Sequence, residues 1–149
     1  MNLIKKIIKE TIREYLNETT KQKLLNLKPE LALAAQEVYD NWEQNEEGYC
    51  DSLGQGGICQ DIASAMVGVL DKNDIESATV SQTIGEQHVY VVAKTEDGIY
   101  EVDIPPYVYE TGGGYCWKKI PNVIFDEKDV IINRLSSDPD EFENYIGDW

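Results

Sequence analysis

The chain has 149 residues, of which 42% are apolar and 28% charged. That suffices for one compact domain with a real core, and it is a globular rather than a disordered composition. Thirteen basic against 28 acidic residues leave a net charge of −15, which excludes nucleic acid as a partner because the phosphate backbone repels such a surface.

Charge is unevenly placed. Residues 1–28 hold seven basic and three acidic groups, and the remainder holds six and 25. This break predicts a basic amphipathic helix and linker over 1–28, ahead of a domain over 29–149. Ile4, Ile8, Ile12 and Tyr15 recur at helical spacing, with Leu3, Ile7 and Leu16 widening the stripe. Lys5, Lys6 and Lys9 interrupt any apolar core of a secretory signal. Three roles stay open for this helix: packing on the acidic body, detachable targeting or docking, and membrane-surface binding, which the acidic body opposes. The segment resembles the N-terminal capsid-targeting helices of tailed-phage internal proteins. Those are trimmed after Leu-x-Glu, a pattern that Leu16-Asn17-Glu18 fits.

A second helix is expected from Pro29, with Leu31, Ala35, Val38 and Trp42 buried. Gly48 to Gly57 reads as a glycine-rich loop. A third helix is expected over Ile58–Lys72, with Ile58, Ile62, Ala65, Met66 and Val69 on one face and Asn73-Asp74 as its stop. Strands are expected over Ser77–Thr83, Gln87–Lys94 and Gly98–Ile104, from their β-branched and aromatic content and their Gly, Asp and Pro boundaries. Gly112 to Gly114 reads as a flexible loop and Trp117–Ile120 as a last strand. Asp126 and Asp138 are expected N-caps of short helices over Glu127–Leu135 and Pro139–Tyr145. Helices first and an antiparallel meander second make an α+β domain. No run of about 18 apolar residues occurs, so no membrane span is expected.

The chemistry centres on Gly56-Gly57-Ile58-Cys59. A glycine-rich loop feeds a helix whose first turn carries a cysteine. The thiolate is the nucleophilic form, and a helix N-terminus, with roughly half a positive charge, favours it. The unpaired N–H groups there can also receive an oxyanion. His88, the sole histidine, opens a strand that turns at Thr95-Glu96-Asp97-Gly98 into one ending at Asp103. A four-residue loop over Thr95–Gly98 pairs Tyr90 with Asp103 and sets His88 on the same face, about 6.6 Å of strand rise away. A three-residue loop would put the two side chains on opposite faces. In this order Cys59 attacks a carbonyl, His88 relays the proton, and Asp103 fixes the imidazole tautomer. Each residue alone also has a structural reading: Cys59 as a small buried hydrophobe, His88 as a surface or satisfied core histidine, and Asp103 as a solvated strand-end acid.

Gly56-Gly57-Ile58-Cys59, the helix with Ala63, the strand from His88 and Gly98-Ile99-Tyr100-Glu101-Val102-Asp103 resemble the transglutaminase-like core of the papain-like thiol superfamily. The resemblance covers about residues 50–105. It implies a helix-start Cys with His and Asp on adjacent strands, and a peptidase, deamidase or transglutaminase-like activity. Tyr90 stands where that family often has Trp. Gln55 replaces the Arg of the related acetyltransferase lead-in and becomes a candidate oxyanion donor, or else a loop glutamine facing water.

A Cys₃His zinc site from Cys50, Cys59, Cys116 and His88 lacks the close Cys pairs that structural zinc sites use. No metal and no cofactor are therefore expected, and Cys50 and Cys116 read as packing residues. Three cysteines, an odd number, point to reduced thiols rather than a secreted disulfide scaffold. A cytoplasmic location, in a bacterial or phage-infected cell, or a virion-associated one is expected. The expected partner is a protein or peptide amide substrate, with a cationic amine or protein partner favoured by the acidic charge. A non-catalytic phage internal or virion protein, or an acidic interaction protein, keeping the same fold is the alternative.

Overall fold

The computed structural model describes Ile4 and residues 19–42, 49–50, 58–82, 88–113 and 116–146. The helix expected over the first 18 residues lies outside the described residues except for Ile4, which is helical and exposed. The chain then enters helix α1, Thr20–Asn26, through a capping box. The Thr19 hydroxyl accepts from the Gln22 N–H at 3.1 Å, and the Gln22 side chain accepts from the Thr19 N–H at 3.2 Å. Leu27 ends α1 and begins α2, Lys28–Asp40, whose Pro29 sits in the first turn, where a missing N–H costs nothing. Residues 19–28, grouped by charge with the N-terminal segment, thus include a docked helix. Leu24 and Leu27 belong to the core, the Thr20 N–H donates to Glu96 at 2.7 Å, and Lys21 pairs with Asp97 at 3.6 Å.

Helix α3 spans Cys59–Lys72 and buries Ile62, Ala63, Met66 and Leu70. Its buried stripe is turned slightly from the expected one, leaving Ala65 and Val69 half-buried. Asn73 caps it, with its side-chain amide donating to the Val69 carbonyl at 2.8 Å, and Asp74 takes a left-handed φ of 58° that redirects the chain.

The main sheet has strand order β2-β3-β4-β7, all antiparallel: β2 Ser77–Gln82, β3 His88–Thr95, β4 Gly98–Asp103 and β7 Ile131–Ser136. Val91 pairs with Val102 and Thr95 with Gly98, the register that aligns Tyr90 with Asp103. The turn itself is tighter than expected, because Thr95 and Gly98 are already paired and only Glu96 and Asp97 are left to make it. The Thr95 hydroxyl locks it, donating to the Gly98 carbonyl at 3.0 Å and accepting from the Asp97 N–H at 3.2 Å.

Strand β7 corrects an expectation. Asp126 is a true cap, but of a single 3-10 turn, Glu127–Asp129, and the helix expected to continue to Leu135 is a strand. The β-branched run Val130-Ile131-Ile132 suits a pleated edge better than a helix interior, and β4 offers that edge. Asp138, by contrast, does start a 3-10 turn that leads into helix α4, Phe142–Ile146.

Val91, Ala93, Tyr100 and Val102 share a core with α2 and α3, whereas Val92 and Ile99 meet Phe142 of α4. The result is an α+β domain with helices followed by a four-stranded antiparallel sheet. A smaller sheet of order β1-β6-β5 joins Tyr49–Cys50, Cys116–Lys119 and Glu110–Gly113. Gly112 and Gly113, expected in a loop, instead stand in β5 and pair with Trp117 and Cys116. Among the described residues no helix is long and apolar enough to cross a membrane.

Candidate active site

Three element ends position the expected trio. Cys59 is the first residue of α3, His88 the first of β3 and Asp103 the last of β4. Ile58 caps α3 without a side-chain hydrogen bond of its own. The Cys59 thiol is free and partly exposed.

The hairpin brings its two open-end residues into contact. Nε2 of His88 lies 2.8 Å from one oxygen of Asp103 and 3.0 Å from the other. Both side chains are largely buried, at 13% and 18% exposure, so water competes little with this contact. A bond at Nε2 to a carboxylate assigns that nitrogen as the donor, which leaves Nδ1 as the basic nitrogen of a neutral ring. Nδ1 is buried and makes no hydrogen bond. Tyr90 stacks along the ring at 6.4 Å between centroids.

Burial alone would lower the affinity of His88 for a proton. The Asp103 carboxylate and the Cys59 sulfur more than reverse this, and the histidine is pushed up to about 9. Cys59 exerts this pull without standing in direct hydrogen-bonding geometry to Nδ1. At neutral pH the ring therefore holds its second proton.

The structure brings two further residues to the site that the sequence reading did not single out. Asp103 is followed by Pro105-Pro106 and a 3-10 turn over Pro106–Val108, after which come Tyr109 and Glu110, both electrostatically coupled to the trio. The Tyr109 hydroxyl feels the charges of Glu110, Cys59 and Asp103, and Glu110 feels that of His88. Both are buried, and both carry an oxygen without a hydrogen-bond partner. Burial, partly offset by His88, raises the Glu110 carboxyl to about 7. Lys119, its register partner on β6, does not neutralise it, since its ammonium donates to the carbonyls of Tyr39 at 3.0 Å and Trp42 at 2.9 Å. The double proline after Asp103 was the one available signal, marking a turn without saying where it leads.

Gln55 lies outside the described residues. Cys50 and Cys116 face each other as register partners across β1 and β6, and the packing expected of their side chains lies outside what the structure describes. Comparison of the chain with family models, with curated proteins and with solved structures gives no match.

Proposed function

We propose that this chain is a thiol-dependent amide hydrolase or acyl transferase that works through a Cys59 thioester, with a papain-like, transglutaminase-like core. The observation that carries the reading is the position of His88, bonded through Nε2 to Asp103 while interacting with Cys59 and leaving Nδ1 unbonded. An isolated cysteine or histidine has a structural explanation. A buried histidine held between a carboxylate and a thiol, with one nitrogen in reserve, is arranged for proton relay.

In this reading the Cys59 sulfur attacks the amide carbon and the carbonyl π pair moves to oxygen. The imidazolium then gives its proton to the departing nitrogen, the C–N bond breaks, and a thioester remains. Neutral His88 next takes a proton from water or from an amine as that group attacks the thioester, the C–S bond breaks, and the thiolate–imidazolium pair is regenerated. Asp103 holds the ring in one orientation throughout. Water as acceptor gives hydrolysis or deamidation, and an amine gives transfer.

Thiol reactivity tests this. Near neutral pH, iodoacetamide should alkylate Cys59 much faster than Cys50 or Cys116, and His88→Ala should remove the difference. Equal rates at all three thiols in the wild type would identify an inert protein with this fold.

A further inference from the structure

The sheet of order β1-β6-β5 sets two of the three cysteines opposite one another. Cys50 ends β1, Cys116 begins β6, and the two are register partners on an antiparallel ladder. Such partners stand with their Cα atoms about 4.5–5.5 Å apart. A disulfide spans Cα separations of about 4.4–6.8 Å, so the backbone already meets its distance requirement. On its other side Cys116 is paired with Gly113, which has no side chain to compete for that face of the sheet.

The pairing also accounts for the odd cysteine count. Cys59, the one left over, starts α3, takes part in no strand and carries a free thiol. Strand β1 joins β6 through only two register pairs, Tyr49–Trp117 and Cys50–Cys116. So short a ladder has few hydrogen bonds to hold it. Yet it is from β1 that the chain runs on, through the glycine-rich residues 51–57, to Ile58 and Cys59. A covalent bond at Cys50 fixes the start of that run to β6. The 65 residues between the two cysteines include Cys59, His88 and Asp103, so the bond closes a loop of chain that holds the whole trio.

We propose that Cys50 and Cys116 are an oxidative modification site, a reversible disulfide across β1 and β6 formed by exchange with a low-molecular-weight disulfide such as glutathione disulfide. One cysteine, as its thiolate, attacks a sulfur of the oxidant, whose S–S bond breaks to release one glutathione thiolate. The second cysteine, also as thiolate, attacks the protein sulfur of the resulting mixed disulfide and expels the second glutathione thiolate. Two electrons pass from the cysteine pair to the oxidant, and the two protons lost by the cysteines end on the two glutathione thiols. Excess reduced glutathione runs the exchange backwards. Closing so long a loop restricts the unfolded chain more than the folded one, so the oxidised protein is the more stable form. No step uses Cys59, and the inference therefore stands apart from the acyl-transfer reading.

The test uses the full chain, reduced and then freed of reductant. It is incubated with excess glutathione disulfide, blocked with N-ethylmaleimide and cleaved at acidic residues for mass mapping, since Asp51 separates Cys50 from Cys59. Fragments joined through Cys50 and Cys116 should dominate, with maleimide on Cys59 alone. The thermal midpoint should rise by about 5 °C or more over the reduced chain, and reductant should abolish the rise. Cys59→Ser should still form the bridge. In Cys116→Ser, Cys50 should stop at the mixed disulfide with glutathione and the midpoint should gain nothing; Cys50→Ser gives the same reading at Cys116 if the first variant does not fold. Cys50 and Cys116 left open to maleimide, each capped by glutathione in the wild type, or bridged to Cys59 instead, overturn the proposal. A Cys50–Cys116 bridge that lowers the midpoint also overturns it, by showing that β1 must leave β6 to make the bond.

Discussion

Asp103 meets His88 through both carboxylate oxygens, at 2.8 and 3.0 Å from a single ring nitrogen, across the open end of the β3–β4 hairpin. The carboxylate has nothing to accept from Nδ1, so its effect is to keep the proton on Nε2 and the ring in one orientation. Asp103→Asn keeps the shape and removes this effect, because an amide NH₂ facing Nε2 favours the other tautomer. Acylation of Cys59 should then fall by about 10²–10⁴-fold, the usual worth of a positioned acid–base group. Burst kinetics with an activated ester would measure it, and a loss of less than about ten-fold would mean that the carboxylate does not orient the ring.

The same contact links stability to pH. Burial opposes the charge on His88, whereas Asp103 and Cys59 favour it, and the outcome is a folded value of about 9 against an ordinary histidine value of 6.5. Asp103 on β4, the Cys59 sulfur at the start of α3 and the Glu110 carboxyl on β5 are the titratable groups facing it. A value raised in the folded state means that the folded chain binds the extra proton. The stabilisation is complete below pH 6.5 and is lost as pH rises through about 9, amounting to at most about 3 kcal/mol. NMR titration of the sole histidine should show the high value in wild type and a lower one in Asp103→Asn. A wild-type value near 6.5 would contradict the pairing.

The hairpin was legible in the sequence because Thr95-Glu96-Asp97-Gly98 marks a turn between two β-branched, aromatic runs. The register was not fixed by it, since a four-residue loop sets His88 and Asp103 on one face and a three-residue loop on opposite faces. The observed pairing of Thr95 with Gly98 decides for the shared face. The β7 strand was not legible, because Asp126 and Asp129 make a genuine capping box and a cap cannot tell how long its helix runs. That depended on the open edge of β4, which no local window contains. Tyr109 and Glu110 were illegible for a related reason. No spacing ties them to Cys59 or His88, and the 3-10 turn after the two prolines does not tell locally where the chain goes next.

Glu110 sets a second pH dependence. Burial holds its carboxyl at about 7 against an ordinary glutamate value of 4.5, with His88 pulling the other way and Lys119 engaged at the Tyr39 and Trp42 carbonyls. Between these two values the folded chain keeps a proton that the unfolded chain has released. The contribution is therefore complete below pH 4.5 and is lost as pH climbs through about 7. Glu110→Gln cannot ionise and should match wild type in acid, yet exceed it by about 1–3 kcal/mol at about pH 8 in urea unfolding. A variant less stable than wild type at both ends of that range would mean that the carboxylate has a partner in the folded protein.

Gly98 shows how tightly the carrier of Asp103 is fitted to its neighbour. It begins β4 with φ of 138°, in a region that L side chains rarely adopt, and a methyl group there would run into the Ser136 carbonyl at the end of β7. Backbone supplies the collision, so no side-chain rotation relieves it. Gly98→Ala must either shift β7 off the edge of β4 or deform the Glu96-Asp97 turn, which the Thr20 and Lys21 contacts of α1 already hold. The strain and the lost pairing should destabilise the fold by at least about 2 kcal/mol in chemical denaturation. Because the damage starts at the far end of the strand from Asp103, Cys59 alkylation in the folded fraction should stay within about two-fold of wild type if the β3–β4 register survives. A large loss of reactivity without a loss of stability would show that the two strands slide past each other while the fold persists.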